Sequence, residues 1–293
     1  MTVFPKGMKM ISIILVTRNQ LPYTRQCLQS LREHTPQEIE LIVVDNGSMD
    51  GTVEFLHSQA GVRVIANRSN RGYAAGCNQG LAVAGGDFLV LLNNDTIVTA
   101  DWLAGLLFHV RQDKSVGLAG PLANSVAGSQ RVPVEFSSLA QLNFFARQLR
   151  RLNFGRRRET GFISGMCMLV RREVVERIGG LDERFGYGSF EDDDFCVRAA
   201  LAGYKLCIAQ DVFIYHYGGR TFAGEGLDYP ALLSRNWALY KEKWGLPAGF
   251  PPAQRHTSLA AYQKNQPPFR QAAAGSPADS LLAFLPAANL RQA

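Results

Sequence analysis

ISIILVT, residues 11–17, is a run of apolar, mostly β-branched residues interrupted only by Ser12. A strand with one wet face alternates apolar and polar side chains. A run this dense suits a strand buried on both faces, as in a parallel sheet covered by helices. Forward of it, residues 21–33 carry Leu28 and Leu31 at helical spacing. IELIVVD (39–45) is a second buried strand that breaks into the turn formers NGSMDGT. Asp50 stands where an N-cap belongs, before a short helix through His57. VRVIAN (62–67), DFLVLLN (87–93) and residues 116–120 read as further strands, with helices at 72–84 and 102–110 between them. Strands joined by helix-length crossovers predict an α/β fold with a mostly parallel central sheet. Ligands in such sheets lie beyond the carboxyl ends of the strands. Thr17, Asp45, Asn67 and the stretch 93–95 are therefore the positions to read for chemistry.

The second half is less regular. Residues 121–160 read as a loop and then an Arg-rich amphipathic helix, and FISGMCMLV (162–170) as a strand followed by a helix to about 178. EDDDFCVRAALAG opens another helix, short strands at 205–209 and 212–215 lead to His216, and a last helix covers 231–244. From 246 onward Pro, Ala, Gln and Ser dominate, so 246–293 is expected to be a flexible tail.

The 293 residues allow one large α/β domain, and the formal charge of +6 permits an anionic partner without calling for nucleic acid. No apolar run approaches the ~20 residues of a membrane-spanning helix. MTVFPKGMKM at the start lacks the apolar core of a signal peptide, so a cytoplasmic protein is expected. Cys27, Cys77, Cys167, Cys196 and Cys207 are scattered and form no CxxC, which fits free thiols better than a metal or disulfide framework.

Several polar residues stand at informative places. Asp45 closes a buried strand and can accept hydrogen bonds from a base or ribose, or serve as a turn carboxylate satisfying local amides. Asp95, after Asn93 and Asn94, suits a hard divalent ion bridging phosphates; Asn-Asn-Asp is also good turn chemistry. GYAAGCNQG (72–80) puts Gly72, Gly76 and Gly80 on one helix face for close packing on the sheet, and is neither a GxGxxG nor a P-loop. In EDDDF (191–195), acids in a first helical turn favour the helix dipole. Four in a row nevertheless repel, and Asp192 shares the inward face with Phe195, Cys196 and Ala199. That makes Asp192 a candidate general base. His216 ends a strand before a Gly pair, where a metal or phosphate role fits.

These segments in this order (ISIILVTRN, IVVDNGSMDGT, NRGYAAGCNQG, LLNNDT, FISGMCMLVRREVVERIGGLDERF, EDDDFCVR, HYGG) resemble the family 2 glycosyltransferases with the GT-A fold. The nearest group is the bacterial rhamnosyltransferase-like enzymes of cell-surface polysaccharide synthesis. The resemblance implies a single GT-A domain over 1–245. Residues 11–120 would form a Rossmann-like nucleotide-sugar half, and 121–245 an acceptor and catalytic-base half. It implies that Thr17 and Asp45 hold the nucleoside and that Asn78 lines the sugar-nucleotide pocket, with Asn19, Asn67 and Asn94 in the same set. Asp95 would take the last position of a DxD motif and bind Mg2+ or Mn2+ with His216. Asp192 would be the general base of an inverting single displacement, and Glu191, Gly165 and Arg220 secondary or acceptor-side positions. Asn93 departs from the pattern, replacing the first acid of DxD with a neutral ligand.

The implied partners are a nucleotide-diphosphate sugar, of the dTDP-rhamnose or UDP-hexose type, and a glycan or lipid-diphosphate-linked acceptor. Residues 141–158 carry six arginines and no acid, with Leu142, Phe145, Leu149 and Leu152 on one face and Arg147, Arg150 and Arg151 opposite. Such a helix can rest on the cytoplasmic face of the inner membrane, or pack on the domain as an ordinary surface helix. Three rival readings fit the residues less well. A non-catalytic nucleotide-sugar-binding relative should have lost the acids at 95 and 192, which are present. A nucleotidyltransferase should carry a Gly-rich basic loop after the first strand, and a dehydrogenase GxGxxG; TRNQLPYT stands there instead.

Overall fold

The computed structural model describes residues 10–219 and 228–255. Among them a nine-stranded sheet runs through both halves of the chain. Strands β1 (Ile11–Thr17), β2 (Glu40–Asp45), β3 (Val62–Ala66) and β4 (Phe88–Asn93) are mutually parallel in the order β3-β2-β1-β4. Both faces of the central strands are covered, which is why they lack polar alternation. On one face Ile13, Leu15, Val43, Val90 and Leu92 pack against Cys27, Leu28 and Leu31 of α1 (Leu21–His34) and Trp102, Leu103 and Leu106 of α4 (Trp102–Gln112). On the other, Ile14, Val16, Ile42, Val44 and Leu91 pack against Ala74, Cys77 and Leu81 of α3 (Tyr73–Val83). Edge strand β3 is half-exposed. Helix α2 (Thr52–His57) links β2 to β3. Its N-cap is Gly51 rather than Asp50, whose carboxylate instead accepts from the Thr52 amide and hydroxyl and from the Leu21 amide.

The sheet continues through β8 (Cys167–Arg171), antiparallel to β4, then β6 (Val116–Ala123), β9 (Lys205–His216) and β5 (Thr96–Val98). β7 (Arg157–Thr160) pairs with β9 alone. Two expected strands at 205–209 and 212–215 are one strand with an irregularity. The register against β6 jumps from Pro121↔Ala209 to Leu122↔Phe213, and buried Asp211 sits in the gap, bonded to His109 at 2.7 Å. The expected strand over 162–170 starts only at Cys167: Phe162 and Ile163 pack in the core and 164–166 turn away to line a cavity at the carboxyl ends of β1 and β4. Helices α5 (Leu139–Asn153), α6 (Arg172–Ile178), α7 (Glu191–Leu201) and α8 (Tyr229–Trp244) belong to the second half of the chain.

The glycines of α3 allow the close approach their spacing predicts: a Cβ on Gly80 would lie 2.3 Å from Ile14 Cγ2, and one on Gly76 2.8 Å from Val16 Cγ1. Gly72, which N-caps α3, has φ +89° and would bring a Cβ within 2.2 Å of the Gly186 carbonyl oxygen. Gly72→Ala is expected to lower stability by about 3 kcal/mol, since neither the backbone nor that carbonyl can yield cheaply. A denaturant midpoint unchanged from the parent protein would refute this.

Helix α5 lies on β9 and buries part of its predicted stripe: Leu142 is covered, Phe145 meets Phe213 with ring centroids 5.0 Å apart and Leu149 packs on the same cluster, joined by Ala146, which is not in the stripe. Leu152, assigned to the same face, is exposed, as are Phe144 and Phe154. Arg150 turns inward to Asp211 and Asp101, both at 3.4 Å, instead of joining Arg147 and Arg151 in solvent. No described helix is long and apolar enough to cross a membrane.

Candidate active site

The carboxyl ends of β1 and β4, the loop 164–166 and the start of α7 surround a cavity of about 560 Å³. Thr17, Asn94, Asp95, Gly165, Glu191, Asp192 and His216 all line it. β1 and β4 are registered with Val16 opposite Asn93, so the polar residues that end each strand fall at one level. Asn94 donates to Thr17 Oγ1 at 3.1 Å and Thr24 Oγ1 at 3.0 Å, a buried polar floor.

His216 is brought to Asp95 by antiparallel pairing of β5 with β9, in which Thr96 faces His216. Its Nδ1 lies 2.5 Å from the Ser125 carbonyl and its Nε2 3.1 Å from Asp95 Oδ1; both partners can only accept, so both ring nitrogens donate when the ring is charged. Burial disfavours the imidazolium, but the Asp95 carboxylate and the Ser125 carbonyl outweigh it and raise the His216 pKa. Asn93 Nδ2 is 3.5 Å from the same Nε2. Among the described residues no group of three or more His, Cys, Asp or Glu gathers around a metal-sized site. One carboxylate and one imidazole that can keep its Nδ1 proton on the Ser125 carbonyl while Nε2 gives its proton up still fit an ion that takes its remaining ligands from phosphates and water.

The four acids of α7 divide into two pairs. Asp194 is bound by Arg198 at 2.8 Å and Lys243 at 2.6 Å, and Asp193 by Arg255 at 2.8 Å. These are structural ion pairs that hold α7 to α8 and to the segment after it. Glu191 and Asp192 face the cavity instead. Asp192 Oδ2 accepts from the Gly165 amide at 2.8 Å and Oδ1 from the Asp193 amide at 2.9 Å. Burial and the neighbouring Asp193 charge push its pKa up to about 7, against the pull of those amides. Burial, then the Asp192 charge, holds the Glu191 carboxyl well above the usual range, and its Oε2 has no hydrogen-bond partner among the described residues. A half-buried carboxylate of near-neutral pKa at a cavity wall is equipped to take a proton.

Four expected site residues do not reach the cavity. Asp45 is wholly buried, and its carboxylate accepts from the Gly47 amide at 2.9 Å and the Ser48 amide and hydroxyl at 2.8 and 2.5 Å, which is the turn role. Asn19 joins loops through Ser48 and Met49. Asn67 braces Asn46 and Gln79 at 2.9 and 2.8 Å, so it stands behind the wall that Asn46 forms. Asn78, expected to line the pocket, points the other way: it donates to the Leu181 carbonyl and Glu183, and accepts from the Leu181 amide at 2.8 Å. Its amide serves to clip α3 to the segment before α7. Arg220 lies outside the described residues.

The structure adds lining residues that the sequence reading missed: Arg18, Asn46, Tyr73, Ser164, Tyr187, Ser189 and Tyr229. Arg18 and Tyr73 adjoin Thr17 and Gly72, so proximity to marked positions could have raised them. Tyr187 and Tyr229 lie in stretches with no periodic signal.

The family model for glycosyl transferase family 2 matches residues 12–179, more than half of the chain. The chain belongs to glycosyl transferase family 2. The match begins in β1 and ends just beyond α6, so the acids of α7 lie outside it. This family 2 chain is 26% identical over 234 residues to the N-acetylglucosaminyl-diphospho-decaprenol L-rhamnosyltransferase of Mycobacterium tuberculosis, covering 71% of this chain and 76% of that one. It is 26% identical over 254 residues to the pre-mycofactocin glycosyltransferase of the same organism, covering 86% and 49%. The chain spans about a quarter to a half of the length of the first two curated relatives it matches. Among solved structures, a mannosyltransferase from Pyrobaculum calidifontis in complex with GDP-Man and Mn2+ superposes with a TM-score of 0.59 at 22% identity, over 95% of this chain and 79% of that one. The shared architecture is the GT-A fold.

Proposed function

We propose that this family 2 chain moves a sugar from a nucleotide-diphosphate donor, of the dTDP-rhamnose or UDP-hexose type, to a hydroxyl of a glycan or lipid-diphosphate-linked glycan. The observation that carries the reading is the division of the α7 acids: two are neutralised by cations, while among the described residues no cation forms an ion pair with Glu191 or Asp192, which line the cavity shared with Asp95 and His216. The name of the decaprenol-linked relative supports a lipid-linked acceptor and a rhamnosyl donor.

In this reading Asp192 takes the proton of the acceptor hydroxyl as that oxygen bonds to the anomeric carbon. The bond from that carbon to the diphosphate breaks on the opposite face, and the configuration inverts. The Gly165 and Asp193 amides orient the Asp192 carboxylate for this. Asp95 and His216 would hold a divalent ion, Mg2+ or Mn2+, which supplies positive charge beside the diphosphate. Thr17 and Asn94 bound the donor side. The half 11–120 thus takes the nucleotide sugar and the half 121–245 presents base and acceptor; of the tail expected over 246–293, Leu246 and Phe250 instead pack on α8 and Arg255 pairs with Asp193, and 256–293 lie outside the described residues. Peripheral contact with the cytoplasmic face of a membrane through 141–158 belongs to the same proposal. It would rest on outward-facing Phe144, Leu152, Arg147 and Arg151 rather than on the stripe that β9 covers.

A thermal-shift screen over sugar nucleotides, with and without Mn2+, tests the donor and the ion together. A nucleotide at 100 times its Kd stabilises the fold by about 2.7 kcal/mol. The Mn2+-dependent part of the shift should vanish in Asp95→Asn and in His216→Ala. If no sugar nucleotide raises the melting temperature, the proposal fails.

A further inference from the structure

The segment joining residue 185 to α7 has an unusual backbone. Gly186, Gly188, Ser189 and Phe190 all have left-handed φ, at +62°, +131°, +77° and +74°. Two of these are not glycine, and such strain persists only where surrounding structure imposes it. Here two devices do so. Asn236 of α8 is wholly buried and donates through Nδ2 to the carbonyls of Phe185 at 2.7 Å, Gly188 at 2.8 Å and Ser189 at 3.2 Å. The Phe190 ring packs against Trp237 and Tyr240, with centroids 5.4 and 5.8 Å away.

One large side chain of this braced loop is not buried. Phe185 and Phe190 point into the core, whereas Tyr187 is 43% exposed and lines the cavity. Tyr229, the first residue of α8, is 40% exposed and lines it too. A rigid loop that holds an aromatic ring out in water forgoes its burial, and has already lost the motion that binding would otherwise have to arrest. Tyrosine is amphipathic, with an apolar face and a polar tip, and can hold a ring-shaped ligand at low entropic cost. A pyranose presents a complementary surface, with one face of C–H groups and a rim of hydroxyls. The donor's diphosphate is assigned to the Asp95 and His216 end, while Tyr187 rides on the segment that carries the base.

Resting on the glycosyl-transfer reading above, we infer that Tyr187, on the cavity that Tyr229 also lines, is the platform on which the pyranose ring of the acceptor stacks, so that its hydroxyl meets Asp192.

The test uses the full chain as wild type, Tyr187→Ala and Tyr187→Phe. Each is assayed with dTDP-rhamnose and UDP-glucose as donors, Mn2+, and octyl N-acetylglucosaminide as acceptor probe. Transfer to the glycoside and donor hydrolysis in its absence are measured separately. Tyr187→Ala should raise the KM for the glycoside about 10-fold or more, with donor KM, hydrolysis rate and melting temperature unchanged. Tyr187→Phe should stay within about twofold of wild type, because the ring and not the hydroxyl makes the platform. An unchanged glycoside KM in Tyr187→Ala overturns the inference. So does a raised donor KM, which would place the ring at the donor. Wild type that neither transfers nor hydrolyses either donor overturns the glycosyl-transfer reading itself, and this inference with it.

Discussion

Asp192→Asn should lower the rate of sugar transfer by ~10²–10⁴-fold, the usual contribution of a positioned general base, with nucleotide affinity and fold retained. The substitution is isosteric and leaves Asp95, His216 and Thr17 untouched. An amide has one acceptor oxygen where the carboxylate has two, so either the Gly165 or the Asp193 amide loses its partner, at a cost of about 1 kcal/mol. Removing a charge beside Asp193 and Glu191 offsets that loss. Two pH profiles follow. In wild type the unprotonated carboxylate is the active form, so the transfer rate should rise with pH through about 7 and then level. The variant should lack that limb. In the folded chain the Asp192 proton is held from its ordinary 3.8 up to about 7, so folding stability falls as pH rises across that window. The asparagine variant should be free of this contribution, so its stability should fall less between pH 5 and pH 8. Full turnover by Asp192→Asn would remove the residue from the mechanism.

The second large effect is expected from Asn236→Ala. A single amide group, wholly buried, serves three carbonyls of the loop 185–189. Its removal leaves buried acceptors unpaired and creates a small void, together about 3 kcal/mol or more of lost stability. The strained residues 186–190 would then relax toward ordinary φ values. They lead directly into Glu191 and Asp192, so kcat should fall along with stability even well below the melting temperature. Asn236→Asp should be worse than alanine, because it aims a carboxylate at the same three carbonyls. Urea titration and transfer kinetics on both variants check this; a stable variant with wild-type kcat would show that the loop holds itself.

The parallel half of the sheet was readable from residues 11–120 because burial on both faces leaves an unmistakable apolar run, and each run ends in polar residues. Thr17, Asn94 and Asp95 stand where that rule places them. Asp45 obeys the same rule and still misses the cavity, because its own turn, Gly47 and Ser48, lies within one hydrogen-bond length and claims both oxygens. Asn78 failed for a related reason: its position on α3 was right, but the helix face it occupies turns to residues 181–183. The EDDD run could be sorted from sequence only at Asp194, which has Arg198 at i+4; its other cations, Lys243 and Arg255, arrive from about 50 to 60 positions further along the chain.

The amino-acid sequence by itself determined the alternation of strands and helices, the burial of β1, β2 and β4, and the polar residues that cap those strands. All of these are set by contacts a residue makes with any apolar neighbour or with its own turn. Only the tertiary structure decided which polar groups are spent on structure and which are left for chemistry. That division depends on where distant partners fall: His216 reaches Asp95 by strand pairing across 121 positions, and Asn236 braces the loop before Asp192 from another helix. Local propensity acts over a few residues, whereas a carboxylate's charge state and availability follow from every group packed around it.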